Sequence, residues 1–372
     1  MSNPKEELQA LRNKIDDIDQ GIIALFRERM AVVGQVAGQK QAANMGVTDE
    51  GRERQVLQNA AKLAGEGLEN SAMVLMSTLM ALSRGQQAAM LYEGGKSLLP
   101  PPQRSAHPRA AFQGVPGAWG EQAARSLFPD KELVNYELFE DVFRAVKEGE
   151  AGHGALPLEN AQTGAIGEVY DLLRRHGCFI VGQAWVEIRH CLLVRPGTRM
   201  EDIRKVMSHP EGFRQCYGFL KGHPWDRTTC TNTAVAAQQV AARNDNRGAA
   251  VGSRRAAEIY GLEVLASDIM DSAQNRTRFI SIAKEPWYDE NSDTISVTFS
   301  TAHKSGALCQ VLQAFMTAGI NLSRIESRPV AGGKYRFFAD LQATVLSKET
   351  QAALHQAAGL CEYFEVLGCY HA

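Results

Sequence analysis

The sequence predicts a multidomain protein in three parts: an all-α segment over residues 1–95, an α/β unit over 109–284, and an α+β unit over 294–372. Three observations carry this. Helical periodicity runs almost unbroken from Lys5 to Tyr92 with no proline inside it. A stiff stretch, Leu98-Leu99-Pro100-Pro101-Pro102 to Pro108, then marks a linker over 96–108. Beyond it, short apolar segments alternate with glycine-rich turns and helical runs, the texture of an open α/β sheet. At 372 residues the chain exceeds one typical core, so two or three domains are expected.

Bulk properties narrow the class. The 40 basic residues nearly balance the 42 acidic ones, which argues against nucleic acid or a membrane surface as a partner. Seven cysteines (178, 191, 216, 230, 309, 361, 369) are scattered with no C-x-x-C pair, which argues against a disulfide framework or a metal site. The N-terminus runs directly into a charged helical pattern, and no apolar run approaches the roughly 18 residues of a membrane span. A cytoplasmic enzyme or sensor without a cofactor is the expectation.

In the first segment apolar residues recur at Leu8, Leu11, Ile15, Ile18, Ile22, Leu25, Phe26, Val33 and Val36, predicting one helix to about Ala43. A helix of that length needs a partner along it, expected to be a second protomer. Thr48 or Asp49 is placed to cap a second helix ending near Gly65, and Asn70 or Ser71 a third ending near Tyr92. Arg29 and Lys40, eleven residues apart, share a face about 16 Å apart. Arg12 lies roughly 25 Å from Arg29 and reaches the same small site only from another chain. Asp49, Arg52 and Glu53 share a second face, and Ser83 and Gln87 a third.

In this order these residues resemble the all-helical chorismate mutase family, with Leu11-Arg12, Ile15-Asp16-x-Ile18-Asp19, Asp49-x-x-Arg52-Glu53 and Ser83-Arg84-x-x-Gln87 supporting it over residues 5–92. The resemblance implies an intramolecular rearrangement of chorismate to prephenate, which needs a compact conformer and charge stabilisation at the breaking ether oxygen, not a nucleophile or metal. It assigns Arg29 and the partner's Arg12 to the two carboxylates and Lys40 and Gln87 to the ether oxygen. Glu53 and Asp49 take the hydroxyl side, with Arg52 and Ser83 completing the site. An amide at Gln87 is a donor at every pH.

In the middle segment strands are predicted at Ala110–Phe112, Gly154–Leu158, Phe179–Val181, Cys191–Val194, Lys205–Met207 and Ala249–Gly252. Helices are predicted at Gly120–Leu127, Phe139–Val146, Ile166–His176, Ala234–Ala242 and Arg254–Tyr260. Four polar clusters fall at strand ends, where open α/β sheets bind ligands: Glu159-Asn160, Ser208-His209-Pro210, Thr231-Asn232-Thr233 and Asn275–Arg278. Thr277 between Arg276 and Arg278 suits an anionic ligand, although a strand start with solvated arginines is the plainer reading.

Over about 106–284 the chain resembles prephenate dehydratase. The supporting stretches are Gly114-Val115-Pro116-Gly117-Ala118, Pro157-Leu158-Glu159-Asn160, Ser208-His209-Pro210 with Gln215-Cys216, Gly252-Ser253 with Tyr260-Gly261-Leu262, and Asn275-x-Thr277-Arg278-Phe279. The implied fold is two lobes around a cleft like that of periplasmic binding proteins. The implied reaction expels CO2 and hydroxide from prephenate to leave phenylpyruvate, with Thr277 essential. Thr277 is expected to donate to the departing hydroxyl, Arg278 or nearby backbone N–H groups to anchor a carboxylate, and Glu159, Asn160 and Gln215 to shape the cleft. Ser208, Asn275 and Phe279 complete it, and His209 is either an acid or structural. Ala161 and Glu211 depart from the family pattern.

The last segment reads βαββαβ: strands at Thr294–Ser300, Asn321–Val330, Lys334–Ala343 and Tyr363–Cys369, helices at Gly306–Ala318 and Lys348–Leu360. It carries no catalytic constellation. Gly306-Ala307-Leu308 and Glu326-Ser327-Arg328-Pro329 resemble the two ligand motifs of the ACT domain, which implies L-phenylalanine as an effector. The three resemblances together point to the bifunctional chorismate mutase/prephenate dehydratase family with a C-terminal ACT domain, working as a homodimer or larger homo-oligomer. Two other readings stay open: a non-catalytic ligand sensor, and a dehydratase whose helical segment only dimerises.

Overall fold

The computed structural model describes residues 4–43, 49–92, 97–330 and 333–372. The N-terminal part is three helices, α1 (Pro4–Ala42), α2 (Glu50–Ala64) and α3 (Glu69–Leu91). Glu6 and Glu7 in the first turn of α1 and Lys40 in its last complement the helix dipole. The Asp49 side chain caps α2 by accepting from the Arg52 amide at 2.9 Å, whereas Thr48 lies outside the described residues. The third helix starts earlier than the sequence reading has it: Leu68 precedes it with no side-chain cap, so Asn70 and Ser71 sit inside the first turn. Only Val33 and Ala37 of α1 are buried, while Leu8, Leu11, Ile15, Ile18 and Ile22 are about half exposed.

The middle of the chain forms two lobes. The first holds β1 (Arg109–Gln113), α4 (Trp119–Leu127), β2 (Glu132–Tyr136), α5 (Phe139–Glu148), β3 (His153–Asn160), β4 (Gly164–Ala165), α6 (Gly167–His176) and β5 (Phe179–Glu187). The chain then crosses to the second lobe, β6 (Cys191–Val194), β7 (Lys205–Ser208), α7 (Pro210–Gln215), α8 (Tyr217–Leu220), β8 (Asp226–Thr229), α9 (Thr233–Ala241), β9 (Gly248–Gly252), α10 (Arg254–Tyr260) and β10 (Glu263–Ala266). It returns through β11 (Arg276–Ala283), which inserts antiparallel between β3 and β5. The first sheet is ordered β2-β1-β3-β11-β5 with β4 beside β3, and the second β10-β6-β9-β7-β8. Where the two crossings pass each other, the Ile188 amide donates to the Asn275 carbonyl at 2.9 Å.

Four of these strands, β2, β4, β8 and β10, are absent from the sequence reading; β4 is two residues long, and the other three are sheet edges. An edge strand buries little, so β8, with the sequence Asp-Arg-Thr-Thr, lacks any apolar alternation. Conversely β5 runs nine residues where three were expected, because it is covered by α4 on one side and paired along its length with β11.

The last part is β12 (Thr294–Ser300), α11 (Ala307–Thr317), β13 (Asn321–Val330), β14 (Lys334–Gln342), α12 (Lys348–Gly359) and β15 (Tyr363–Tyr370), an antiparallel sheet ordered β13-β14-β12-β15. It is not freely appended. Phe338, Leu367 and Tyr370 share one apolar cluster with Val142, Leu156, Val169, Ile280 and Ile282 of the first lobe. Its two helices pack on α3, and Leu99 and Tyr288 from the connecting stretches are buried in its core. All seven cysteines are free thiols, and no helix among the described residues is long and apolar enough to cross a membrane.

The tightest backbone-to-backbone approach in this arrangement is between β15 and β5, where a Cβ on Gly368 would overlap the Ile180 carbonyl. Gly368→Ala should therefore destabilise the protein by roughly 1–3 kcal/mol, read as a lower urea midpoint. An unchanged midpoint would show that the two sheets separate without cost.

Candidate active site: a two-lobed cleft

A cavity of about 320 Å³ opens between the lobes. Four strand ends and helix starts converge on it, and each brings a polar group. Asn160 ends β3, Thr277 opens β11, His209 and Gln215 bracket α7, and Asn232 caps α9 by accepting from the Val235 amide at 2.8 Å. Phe279, Pro157, Ile166 and Phe139 supply the apolar wall.

At the centre of this cleft Asn160 and Thr277 stand opposite each other in the β3–β11 ladder. The Asn160 carbonyl oxygen accepts from the Gln162 and Thr163 amides at 3.0 and 3.2 Å, which fixes the orientation of its amide. Its nitrogen then donates to Thr277 Oγ1 at 2.9 Å and to Asn275 Oδ1 at 2.9 Å. Because Thr277 Oγ1 receives that hydrogen bond, its own proton is directed elsewhere. Thr277 is thus a held hydroxyl donor, 7% exposed.

Several residues expected in the cleft are not there. Arg278, expected as a carboxylate anchor, follows Thr277 and so points to the opposite face of the sheet. There it meets Asp340 at 2.5 Å and the Tyr370 hydroxyl at 2.7 Å. Glu159, before Asn160, turns to the same far face and pairs with Arg324 at 2.7 Å. Arg276 stacks on the Trp185 ring, 4.3 Å from its centroid. Ser208 is fully buried and donates to the Val251 carbonyl at 3.0 Å, tying β7 to β9. Asn275 supports Asn160 from behind. Of the departures from the family pattern, Ala161 is exposed, whereas Glu211 lines the cleft.

Among the cleft residues that escaped the sequence reading, His190 and Trp119 stand out. His190, 2% exposed, has Nε2 at 2.9 Å from Gln215 Oε1. The Gln215 nitrogen donates to Glu211 at 3.0 Å, so its oxygen accepts and His190 carries its proton on Nε2. Burial depresses the pKa of His190, keeping the ring neutral. His190 Nδ1 and the neighbouring Trp119 Nε1 are buried without a hydrogen-bond partner. His209 is also held down by burial, and its Nδ1 accepts from the Glu211 amide, capping α7. That favours the structural reading of His209. Arg214, first through its hydrogen bond, lowers the pKa of Glu211 and balances its charge.

Two of the glycine-bearing motifs meet at the mouth of the cleft. Gly117, at φ +86°, brings its backbone so close to α10 that a Cβ would lie 2.9 Å from Ala256 Cα. Ser253 donates to the Gly117 carbonyl at 2.9 Å, and the Tyr260 hydroxyl to the Pro116 carbonyl at 2.8 Å. A larger cavity of about 570 Å³ lies behind, by the crossings, but its walls are ion pairs such as Arg125–Glu121 and Arg255–Glu258. Most of its charges already satisfy one another, so the cleft at Thr277 is the better reaction site.

In the helical part, Arg29 donates to the Leu79 carbonyl at 3.1 Å and to Ser83 Oγ, and burial lowers its pKa. Glu53 pairs at 2.7 Å with Arg84, a residue that the sequence reading left without a role and that is only 4% exposed. Gln87 is 8% exposed, with Oε1 unpartnered. Lys40 is half-buried, whereas Arg12, Asp49 and Arg52 are exposed, and Arg12 stands on the uncovered half of α1. One chain thus gathers Arg29, Ser83, Arg84, Glu53 and Gln87 without Arg12.

In the C-terminal part, Gly306, Ala307 and Leu308 line a cavity of about 440 Å³ with His303, Lys304 and Tyr335. Glu326, Ser327, Arg328 and Pro329 lie apart from it on the edge strand β13, with Ser327 and Pro329 exposed. The Arg328 guanidinium covers the start of α6, where a Cβ on Gly167 would overlap it.

These geometries agree with comparisons against known proteins. The family model for chorismate mutase type II matches residues 11–88, and that for prephenate dehydratase matches 110–286. A bifunctional chorismate mutase/prephenate dehydratase of Enterobacter agglomerans is 33% identical over 99% of this chain and 97% of its own length. The chloroplastic arogenate dehydratase/prephenate dehydratase 2 of Arabidopsis thaliana is 39% identical over 70% of this chain and 72% of its own. Among solved structures, the prephenate dehydratase of Arthrobacter aurescens in complex with L-Phe superposes with a TM-score of 0.65 at 27% identity, covering 71% of this chain and 90% of that one. The chain belongs to the bifunctional chorismate mutase/prephenate dehydratase family.

Proposed function

We propose that the protein converts chorismate to prephenate in its helical part and prephenate to phenylpyruvate in the cleft, under feedback by L-phenylalanine at its C-terminal part. The observation that carries the second activity is the Asn160–Thr277 pair, a threonine hydroxyl held by an amide with its proton directed away from that bond. In the reaction the ring carboxylate leaves as CO2, its bonding electrons complete the aromatic ring, and the C–O bond to the ring hydroxyl breaks. Thr277 donates a hydrogen bond to that departing oxygen, which lowers the charge developing there. Asn160 keeps the donor aimed, and Gln215, His190 and Trp119 line the remaining polar surface. With Arg278 engaged elsewhere, the substrate carboxylates are left to helix N-termini and uncharged donors such as Asn232 and Trp119 Nε1.

For the mutase, the cluster around Arg29 supports the assignment of that residue to a substrate carboxylate and of Gln87 and Lys40 to the ether oxygen. Arg84 is then the group that aims Glu53. The second carboxylate is assigned to Arg12 of a partner protomer, and the exposed apolar half of α1 supports a dimer built along that helix. The domains on this reading are 1–95 for the mutase, 109–284 for the dehydratase, with 96–108 as linker, and 294–372 for an ACT domain. The βαββαβ order and the cavity at Gly306–Leu308 support the last assignment.

Feeding chorismate to the purified chain and following phenylpyruvate tests the whole sequence of steps and separates it from a silent sensor. Thr277→Val should lower dehydratase kcat by about 10²-fold or more while mutase activity is retained; unchanged turnover would remove Thr277 from the mechanism. Because Gln87 is an amide, the mutase rate should stay level as the medium is acidified, and a steep rise below about pH 6 would contradict its role. Gly306→Val and Ser327→Ala should each weaken inhibition by L-phenylalanine, and inhibition at an unchanged concentration would move the effector site elsewhere.

A further inference from the structure

On the far side of the catalytic ladder, the residues next to Asn160 and Thr277 form a second pair, Glu159 opposite Arg278. Neither bonds the other. Both reach across to the C-terminal sheet, where Arg324 and Asp340 also stand opposite each other in the β13–β14 ladder. Arg278 meets Asp340 at 2.5 Å, and Glu159 meets Arg324 at 2.7 Å. Two cross-strand pairs, one in each sheet, are thus joined face to face by two ion pairs into a closed square of four charges.

One side of the square is buried and braced, whereas the side chains of Arg324 and Glu159 are 13% and 27% exposed. Arg278 and Asp340 are each 5% exposed. The Tyr370 hydroxyl accepts from Arg278 at 2.7 Å, Ser296 donates to Asp340 at 2.5 Å, and Arg324 also reaches the Tyr170 hydroxyl and stacks over its ring. The desolvated Arg278–Asp340 pair holds its geometry, because separating it leaves each charge unpaired in a low-dielectric setting, and the Glu159–Arg324 pair adds a second, more accessible tie. The peptide units that carry Glu159 and Arg278 also carry Asn160 and Thr277, so the square fixes the backbone from which the Asn160–Thr277 hydrogen bond is made.

We infer that Arg324 and Asp340, residues of the C-terminal domain, are positioning residues for the dehydratase reaction. They act through Glu159 and Arg278 and touch no substrate; the inference rests on the assignment of the cleft at Thr277 as the dehydratase site.

The test uses the full chain and two charge-removing variants, Arg324→Gln and the isosteric Asp340→Asn, with Arg324→Lys as the charge-retaining control. Dehydratase kcat should fall on the order of tenfold in both, with KM held within about twofold. Mutase activity should be unchanged, and Arg324→Lys, which keeps the charge but not the planar fork, should recover part of the loss. Unchanged dehydratase kcat in Arg324→Gln and Asp340→Asn would overturn the assignment. So would a loss seen only in KM, or a parallel fall of both activities with a lower unfolding midpoint, which would mark plain structural support. A wild-type chain that leaves prephenate unconsumed would instead overturn the reading of the cleft itself, and this assignment with it.

Discussion

The molecule turns on the alternation of a single strand. Successive side chains of β11 leave the sheet on opposite faces, so Thr277 and Phe279 enter the cleft while Arg276 and Arg278 cannot. A one-residue slip in the pairing of β11 with β3 would exchange the two sets, placing a guanidinium in the cleft and a hydroxyl among buried charges. Register is held from both sides, because β11 is central and paired along its length with β3 and β5. The hydroxyl donor of the cleft and the anchor to the C-terminal sheet are therefore adjacent residues with separate environments.

Burial makes this division firm. Removing one partner of a buried ion pair costs about 3–5 kcal/mol, chiefly because the other charge is left desolvated. The pair between Arg278 and Asp340 is weak evidence for overall stability, but it is selective. It disfavours any docking of the C-terminal sheet that fails to bring Asp340 to Arg278. The surrounding contacts are apolar, from Phe338, Leu367 and Tyr370, and tolerate small shifts better than a charge does. Apolar area thus supplies the attraction and the charges supply the alignment.

Much of this was visible in the residues themselves. The long first helix, the linker and the order of the last six elements follow from periodicity and proline placement. Asn160 and Thr277 could be located as polar groups at strand ends, and Gln215 through the motif it shares with prephenate dehydratases. What stayed hidden depended on partners far away in sequence. Arg278 reads as a ligand anchor until Asp340, 62 residues further on, takes it. His190 and Trp119 look like ordinary core residues, and their unpartnered nitrogens exist only once the lobes face each other. The edge strands β2, β8 and β10 carry too little buried area to write an alternating pattern.

The placement of β11 has a consequence for how the chain comes into being. The second lobe is an insertion between β5 and β11, closed at its base by the Ile188–Asn275 hydrogen bond. During synthesis the first lobe therefore emerges with its central strand missing, and β3 and β5 cannot be joined until the whole second lobe has followed. The unpaired edges of β3 and β5 stay open throughout that interval, the condition in which strand edges invite mispairing. An autonomous second lobe that folds early would shorten the gap by bringing residue 275 back beside residue 188, delivering β11 to the slot that awaits it.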